Sequence, residues 1–332
     1  MSIGFQLARD YEKGTLCGWG EIRQPGIVKA QFNLLESGFL PFHIRQQTKV
    51  TAGRKMFLYQ VVRKILGQDT KNYPQEIGDC VSFGAKNGTE YLTCTQIASV
   101  AQSLYESGGD YQSYLANARI KFRSIFPPWF YGTGRVYVGG GRLGNEDGSL
   151  GSWMAAAVQK YGALFSDDSN VPAYSGRIAK AWGDPNPRND LDNFKDVAKQ
   201  YLVKGAALIR SWDDLVAALC NGYPCPTASN IGYGMEPGRD GFHVQNTQWG
   251  HQMCFIGADD NDKDPYALIV NSWGDVHGHL KDFESGEDLP VGVLRVRRRD
   301  AEKHIQAQET FAYSAFDGFP EQGLDKALFM LV

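Results

Sequence analysis

The chain has 332 residues, of which 42% are hydrophobic and 21% charged, so it can bury a sizeable core in one large domain or two joined ones. Its net charge of -3 gives no electrostatic reason to expect nucleic acid as a partner. The N-terminus lacks the features of a secretory signal, no apolar run is long enough to span a membrane, and the six cysteines include no Cys-x-x-Cys pair. We therefore expect a cytoplasmic protein with no membrane partner, no cofactor and no metal site, and we keep open a place in a virus particle.

Three helices are predicted in the first half of the chain. Residues 54–67 carry apolar side chains at helical spacing and end in a glycine, which is typical of an amphipathic helix packed on a core; part of an inhibitory prosegment is the alternative. A second helix is predicted to begin at Cys80, with Asp79 as its N-cap. The alanine-rich residues 152–161 predict a third.

Strand patterns dominate the second half. Residues 252–257 and 266–272 are short apolar runs separated by the acidic segment 259–264. That segment resembles part of a calcium loop but lacks the required glycine and glutamate, so we interpret it as a solvated hairpin turn. The basic run 295–299 is interpreted as the end of a strand with a solvated face. Helices followed by antiparallel strands predict an α+β protein with two lobes.

Three residues form a candidate catalytic set. Cys80 is predicted at a helix N-terminus, where backbone amides and the helix dipole favour a thiolate. His251 lies next to an alternating apolar segment that would hold its ring rigidly, as a general base requires. Asn271 ends an apolar strand, and its carbonyl can orient one imidazole nitrogen. The alternatives are a small buried core cysteine and a hydrogen-bonded core histidine.

The local contexts of these residues resemble the papain-like cysteine peptidase family. Residues 271–274, Asn-Ser-Trp-Gly, look like the family's asparagine motif, and Gly257 falls where the family keeps a glycine after its histidine. Phe83 matches a core aromatic on the family's central helix, and residues 161–162 match a helix that ends in Tyr-Gly. The resemblance covers roughly residues 70–300. It implies a two-lobed fold with a helical left lobe, whose central helix starts at the cysteine, and an antiparallel β right lobe.

The resemblance implies a role for each site residue. Cys80, His251 and Asn271 would be catalytic, and Trp273 would shield the contact between asparagine and histidine from water. Pro74 stands at the family's oxyanion glutamine position, and Gln75, one residue closer to the cysteine, is our candidate for that role.

Substrate contacts are also implied by the resemblance. Gly148 and Ser149 would form the cleft wall that binds a substrate main chain, with residues 139–141 as a second candidate. The glycines at 139, 141 and 144 nominally match a dinucleotide fingerprint, but no helix is predicted directly after them. His277 replaces a second family tryptophan and would make the leaving-group side of the cleft more polar.

The departures from the family bear on activity. Val81 removes an aromatic next to the nucleophile, and Asp79 places a carboxylate beside a group that must carry negative charge. Like charges about 5 Å apart cost roughly 3 kcal/mol at an effective dielectric near 20. We therefore predict a cysteine endopeptidase acting on peptide or protein substrates through a thioester intermediate. Two alternatives stay open. One is a catalytically weak or inactive papain-fold structural protein of a phage particle or assembly, which resembles phage-encoded chains and would bind phage structural proteins. The other is a Cys-His cell-wall amidase.

The predicted domain organisation has three parts. Residues 1–70 form an N-terminal extension, either a prosegment or a structural arm. Residues 71–300 form the papain-like domain, divided into a helical lobe at about 71–190 and a β lobe at about 191–300. Residues 301–332 form a C-terminal extension.

Overall fold

The computed structural model describes residues 54–185, 190–277 and 279–316. They form an α+β fold in which a helical lobe precedes a lobe built on antiparallel strands, as predicted. The longest helix lies between the lobes and packs against both. Within these residues no helix is long and apolar enough to cross a membrane.

The helical lobe is built around α2, a helix of 27 residues that is buried on almost every side. Because solvent reaches so little of it, its apolar and small residues do not gather on one face. The helices of this lobe are α1 (Leu58–Leu66), α2 (Cys80–Glu106), α3 (Tyr111–Lys121), α4 (Pro127–Gly132), α5 (Gly151–Lys160), α6 (Gly176–Gly183) and α7 (Lys195–Ala198). A π-helical turn spans Thr133–Val138, and a 3₁₀ helix spans Asp190–Phe194.

The β lobe is organised by β6, a nine-residue strand that is buried throughout. One side of β6 pairs with β1 and β3, and the other side pairs with β7, which in turn pairs with β8. All these pairs are antiparallel, and two further sheets join β2 to β9 and β4 to β5. The bounds of these strands, and of two further helices, are β1 (Lys55–Phe57), β2 (Val203–Leu208), α8 (Trp212–Cys220), β3 (Cys225–Ser229), β4 (Gly232–Tyr233), β5 (Gln245–Thr247), β6 (His251–Asp259), β7 (Tyr266–Val270), β8 (Val293–Arg297), α9 (Arg298–Gln306) and β9 (Phe311–Phe316).

The helix predicted over 54–67 begins later than expected. Residues 55–57 instead form β1, which pairs with residues 257–259 at one end of β6. Helix α1 then runs to Leu66 and ends at Gly67, whose φ of 74° is the left-handed conformation that glycine adopts readily. The apolar face of α1 packs against α2, as the core interpretation predicted.

The expectation of a solvated face for residues 295–299 is wrong at its first arginine. Arg295 is buried, and its guanidinium donates to the carbonyls of Gly241 and Lys281 while it lies 3.4 Å from the ring centroid of Phe283. An arginine can be buried when its terminal nitrogens donate to carbonyl groups and its plane stacks on an aromatic ring. Arg298 and Arg299 are exposed, as expected.

The two predicted extensions are described only in part. Residues 1–53 and 317–332 lie outside the described residues. Residues 55–66 pack into the helical lobe and the main sheet, and residues 298–316 form α9 and the strand that pairs with β2. The boundaries at residues 70 and 300, and a prosegment role for residues 1–70, stay predictions.

Candidate active site

Cys80 is the first residue of α2, and its side chain is buried. Its sulfur accepts a hydrogen bond from the backbone N–H of Gln252 at 3.2 Å. Gln252 is the second residue of β6 and directly follows His251. The start of the central helix and the start of the central strand therefore meet at the sulfur.

His251 and Asn271 are brought together by strand pairing. His251 begins β6, and Asn271 directly follows β7, the antiparallel neighbour of β6. Their side chains meet with Nε2 of His251 2.6 Å from Oδ1 of Asn271. Burial lowers the pKa of His251 to about 4, although the contact with Asn271 acts in the opposite direction. The ring is therefore held neutral over the physiological pH range.

The amide of Asn271 makes two further contacts. Its Oδ1 accepts the backbone N–H of Ser272 at 2.6 Å, and its Nδ2 lies 2.6 Å from Nε2 of His277. The indole of Trp273 packs on the ring of His251, with centroids 4.5 Å apart and an interplanar angle of 37°. Trp273 is buried, so its indole presents an apolar surface to the ring of His251.

Gln75 is connected to the asparagine motif. Its Oε1 accepts from Oγ of Ser272 at 2.5 Å, and its backbone N–H donates to the carbonyl of Ser272 at 2.9 Å. Its Nε2 donates to the carbonyl of Ile77 at 2.8 Å. The amide is therefore fixed on the segment that leads into Cys80, and one of its two N–H hydrogens is used within the protein.

Asp79 does not cap α2 with its side chain, contrary to our expectation. It occupies the N-cap position, but its carboxylate makes no capping bond and instead accepts from the hydroxyl of Tyr174 at 3.2 Å. Complete burial raises the pKa of Asp79 well above its usual range, against the lowering effect of the Tyr174 bond. Burial therefore favours the neutral acid, which weakens the charge repulsion that we expected beside Cys80.

Gly148 and Ser149 lie just before α5. Gly148 has a φ of 101°, which an L residue would adopt only with strain, and its N–H donates to the hydroxyl of Tyr131 at 3.0 Å. Ser149 is buried, and its Oγ has no hydrogen-bond partner among the described residues. A Cβ at Gly151 would lie only 3.2 Å from Oε1 of Gln252, so the start of α5 contacts the residue that follows His251. The alternative glycines at 139–141 form a turn after the π-helical segment instead.

His277 is buried at the far side of Asn271. We predicted it as a substrate-binding residue on the leaving-group side of a cleft, and the structure places its ring in contact with Trp273, with centroids 5.4 Å apart. Sequence reasoning also missed Ser272, Tyr174 and the backbone of Gln252. Ser272 lay inside the motif that we used, whereas no local pattern signals the contact of Tyr174 with Asp79.

No metal site is found near these residues or elsewhere in the described part of the chain. Within residues 54–185, 190–277 and 279–316, no group of three or more His, Cys, Asp or Glu side chains is arranged to hold a metal ion.

Comparisons with known proteins identify the fold. No protein-family model and no curated protein matches the sequence. Among solved structures, the chain is similar to xylellain, a cysteine protease from Xylella fastidiosa, with a TM-score of 0.51 and 13% identity over 90% of this chain and 96% of that one. It is also similar to digestive procathepsin L 3 of the Tenebrio molitor larval midgut, with a TM-score of 0.50 and 15% identity over 94% of this chain and 87% of that one. The chain therefore has the fold of the papain-like cysteine proteases.

Proposed function

We propose that this protein is a cysteine peptidase in which Cys80 is the nucleophile, His251 the general base and acid, and Asn271 the residue that orients the imidazole. The observation that carries the proposal is the 2.6 Å contact between Nε2 of His251 and Oδ1 of Asn271. It leaves Nδ1 as the ring nitrogen for the thiol, and the hydrogen bond from the N–H of Gln252, the residue after His251, to the Cys80 sulfur supports this pairing.

The proposed reaction proceeds in two steps. The Cys80 thiol transfers its proton to Nδ1 of His251, and the thiolate attacks the substrate carbonyl to give a tetrahedral oxyanion. The oxyanion collapses to a thioester as His251 returns the proton to the leaving amine. Water then attacks the thioester with His251 again as base, which releases the acid and restores the thiol.

Two donors are candidates for stabilising the oxyanion. The backbone N–H of Cys80 lies in the first turn of α2, at the positive end of the helix dipole. Nε2 of Gln75 uses one hydrogen on the carbonyl of Ile77 and retains a second for a substrate oxygen. We further propose that Gly148 and Ser149 bind the substrate main chain, because the segment they begin contacts Gln252 through Gly151.

A second candidate function is a papain-fold structural protein without peptidase activity. The observation that favours it is the complete burial of Cys80, since a substrate carbonyl must reach the sulfur for acyl transfer. The two candidates differ in whether the thiol reacts with a small electrophile and with peptides.

Replacement of the nucleophile tests the proposal. Cys80→Ala is expected to abolish peptide hydrolysis, because no other group supplies the thioester. Cys94→Ala is the matched control, since Cys94 is buried in the same helix and is expected to be dispensable. Retention of peptidase activity in the Cys80 variant would refute the mechanism.

Labelling with a thiol-directed epoxide separates the candidates. In the wild-type protein we expect fast, pH-dependent modification of Cys80 over the other cysteines, mapped by mass spectrometry. Slow modification of Cys80 together with absent peptide hydrolysis would favour the structural protein. Release of amines from peptidoglycan but not from peptides would favour a cell-wall amidase.

A further inference from the structure

His277 contacts the amide of Asn271 on the side opposite His251. Its Nε2 lies 2.6 Å from Nδ2 of Asn271, and both side chains are buried. An amide nitrogen has two hydrogens and no available lone pair, so it needs an acceptor at this distance. Nε2 of His277 therefore carries the lone pair, and the proton of the neutral ring is on Nδ1.

The orientation of the Asn271 amide follows from its neighbours. The backbone N–H of Ser272 donates to Oδ1 at 2.6 Å, which leaves Nδ2 facing Nε2 of His277. A flipped amide would place two donors, Nδ2 of Asn271 and the backbone N–H of Ser272, against each other. With Oδ1 fixed toward His251, Nε2 of His251 must be the donor.

The surroundings of His277 keep its ring neutral and in place. Burial lowers its pKa well below the usual range, the nearby imidazoles of His243 and His251 lower it further, and the backbone of Met235 has a smaller opposing effect. The carbonyl of His277 lies 3.2 Å from Nε2 of His243, whose Nδ1 accepts the backbone N–H of Arg295.

Aromatic rings complete the enclosure. The ring of His277 stacks on Trp273 at 5.4 Å between centroids with an interplanar angle of 27°, and it lies 5.7 Å from the ring of Trp249. Such packing restricts rotation about the side-chain bonds, so the acceptor nitrogen stays directed at Asn271.

We propose that His277 is a positioning residue for the catalytic set. By accepting from Nδ2 of Asn271, it fixes the amide, keeps the proton of neutral His251 on Nε2 and leaves Nδ1 of His251 as the base for Cys80. The effect on rate rests on the proposed function, whereas the position of the protons on the two rings is a property of the fold. This role replaces the substrate contact that the resemblance implied for His277.

Three substitutions test the acceptor. His277→Gln retains an acceptor oxygen, whereas His277→Phe and His277→Met fill the aromatic slot without one. Without the acceptor, a buried N–H of Asn271 is unsatisfied, which favours rotation of the amide. We expect the Phe and Met variants to lower kcat and the epoxide labelling rate of Cys80 about tenfold or more, with KM unchanged. The Gln variant is expected to stay within about threefold of the wild type.

Nitrogen-15 spectra of the histidine rings give a readout that does not need activity. In the wild type we expect the proton of His277 on Nδ1 and that of His251 on Nε2. The Gln variant is expected to keep the His251 tautomer, and the Phe and Met variants are expected to show a mixture. Two variants without an acceptor are used so that one unfolded variant does not prevent the comparison.

The outcomes of the two experiments are distinguishable. A proton on Nε2 of wild-type His277, or an unchanged His251 tautomer in a folded Phe or Met variant, would overturn the proposed role. An inactive wild type that still shows the expected tautomers and their loss in the variants would refute the peptidase while supporting the positioning role. A rise in KM alone, with kcat and tautomer unchanged, would overturn the positioning role and restore the substrate-binding interpretation.

Discussion

Two buried carboxyl groups near the same helix are held in different ways. Glu90, in the middle of α2, lies 2.8 Å from Nζ of Lys86 and also accepts from Oγ of Ser124 and the backbone N–H of Ile125, both at 2.9 Å. Asp79, directly before α2, accepts only a longer bond from Tyr174 among its described side-chain contacts. Both carboxyl side chains are almost completely buried.

The two carboxyl groups are equally buried and differ in the set of partners that contact each of them. At Glu90 a cation and two neutral donors compensate the loss of water, and Lys86 in turn donates to the carbonyl of Lys71 in the segment that leads to Gln75. At Asp79 none of the described residues supplies a cation in contact, and burial raises its pKa well above its usual range. Contacting partners thus compensate the buried carboxyl group of Glu90, whereas burial at Asp79 favours the neutral acid beside Cys80.

Removal of the cation is expected to have the largest effect. Lys86→Met leaves the buried carboxylate of Glu90 without its cation. We therefore expect the free energy of unfolding, measured in urea, to fall by about 3–5 kcal/mol. Lys64→Met, at an exposed position of α1, is the control and is expected to change it by less than about 0.5 kcal/mol.

A double variant sharpens the same comparison. Lys86→Met combined with Glu90→Leu removes both charges and is expected to recover part of the loss, because an apolar pair of similar volume leaves no uncompensated charge. If Lys86→Met alone changes stability by less than about 1 kcal/mol, the ion pair does not hold the framework in the way we infer.

A smaller effect of the opposite sign is expected at Asp79. In the unfolded chain this carboxyl ionises near the ordinary aspartate pKa of 3.8, whereas in the folded protein it keeps its proton to higher pH. Folding therefore takes up a proton in that window, and Asp79 makes the protein less stable as pH rises through it. Asp79→Asn removes this dependence, so we expect it to raise the free energy of unfolding at pH 7 and to leave it unchanged at pH 3.

Denaturant unfolding at pH 3, 5 and 7 checks this prediction. A variant that is destabilised more at pH 7 than at pH 3 would show that Asp79 is ionised and stabilising in the folded protein, contrary to its burial. Tyr174→Phe, which removes the donor to Asp79, is expected to enlarge the pH dependence of the wild-type residue.

Local patterns in the sequence predicted those features whose cause is local. The apolar strands beside His251 and Asn271 follow from composition and period, and the strand pairing that joins them follows from the two-lobed fold. The start of α2 at Cys80 was predicted from Asp79 at the N-cap position, although the side chain of Asp79 makes no capping bond. Contacts between distant residues could not be predicted in this way. Three features each depend on a partner that only the folded chain supplies. They are the hydrogen bond from the Tyr174 hydroxyl to Asp79, the burial of Arg295, and strand β1 in place of the predicted start of a helix.

The smallest expected effect concerns the reactivity of Cys80 in Asp79→Asn. If Asp79 is neutral in the folded protein, an isosteric amide changes the local charge little, and the epoxide labelling rate at pH 7 should stay within about threefold of the wild type. If Asp79 carries a charge, its removal relieves a like-charge repulsion of roughly 3 kcal/mol before screening, and labelling should accelerate by more than about tenfold. Asp167→Asn is the control, because Asp167 is an exposed carboxylate paired with Arg123. Its labelling rate gives the scatter of the measurement. If labelling accelerates only in the Asp79 variant, the carboxyl group of Asp79 is charged and slows the reaction of Cys80. Asp79 and Glu90 would then differ in how strongly their partners stabilise the charge, and not in whether the charge is present.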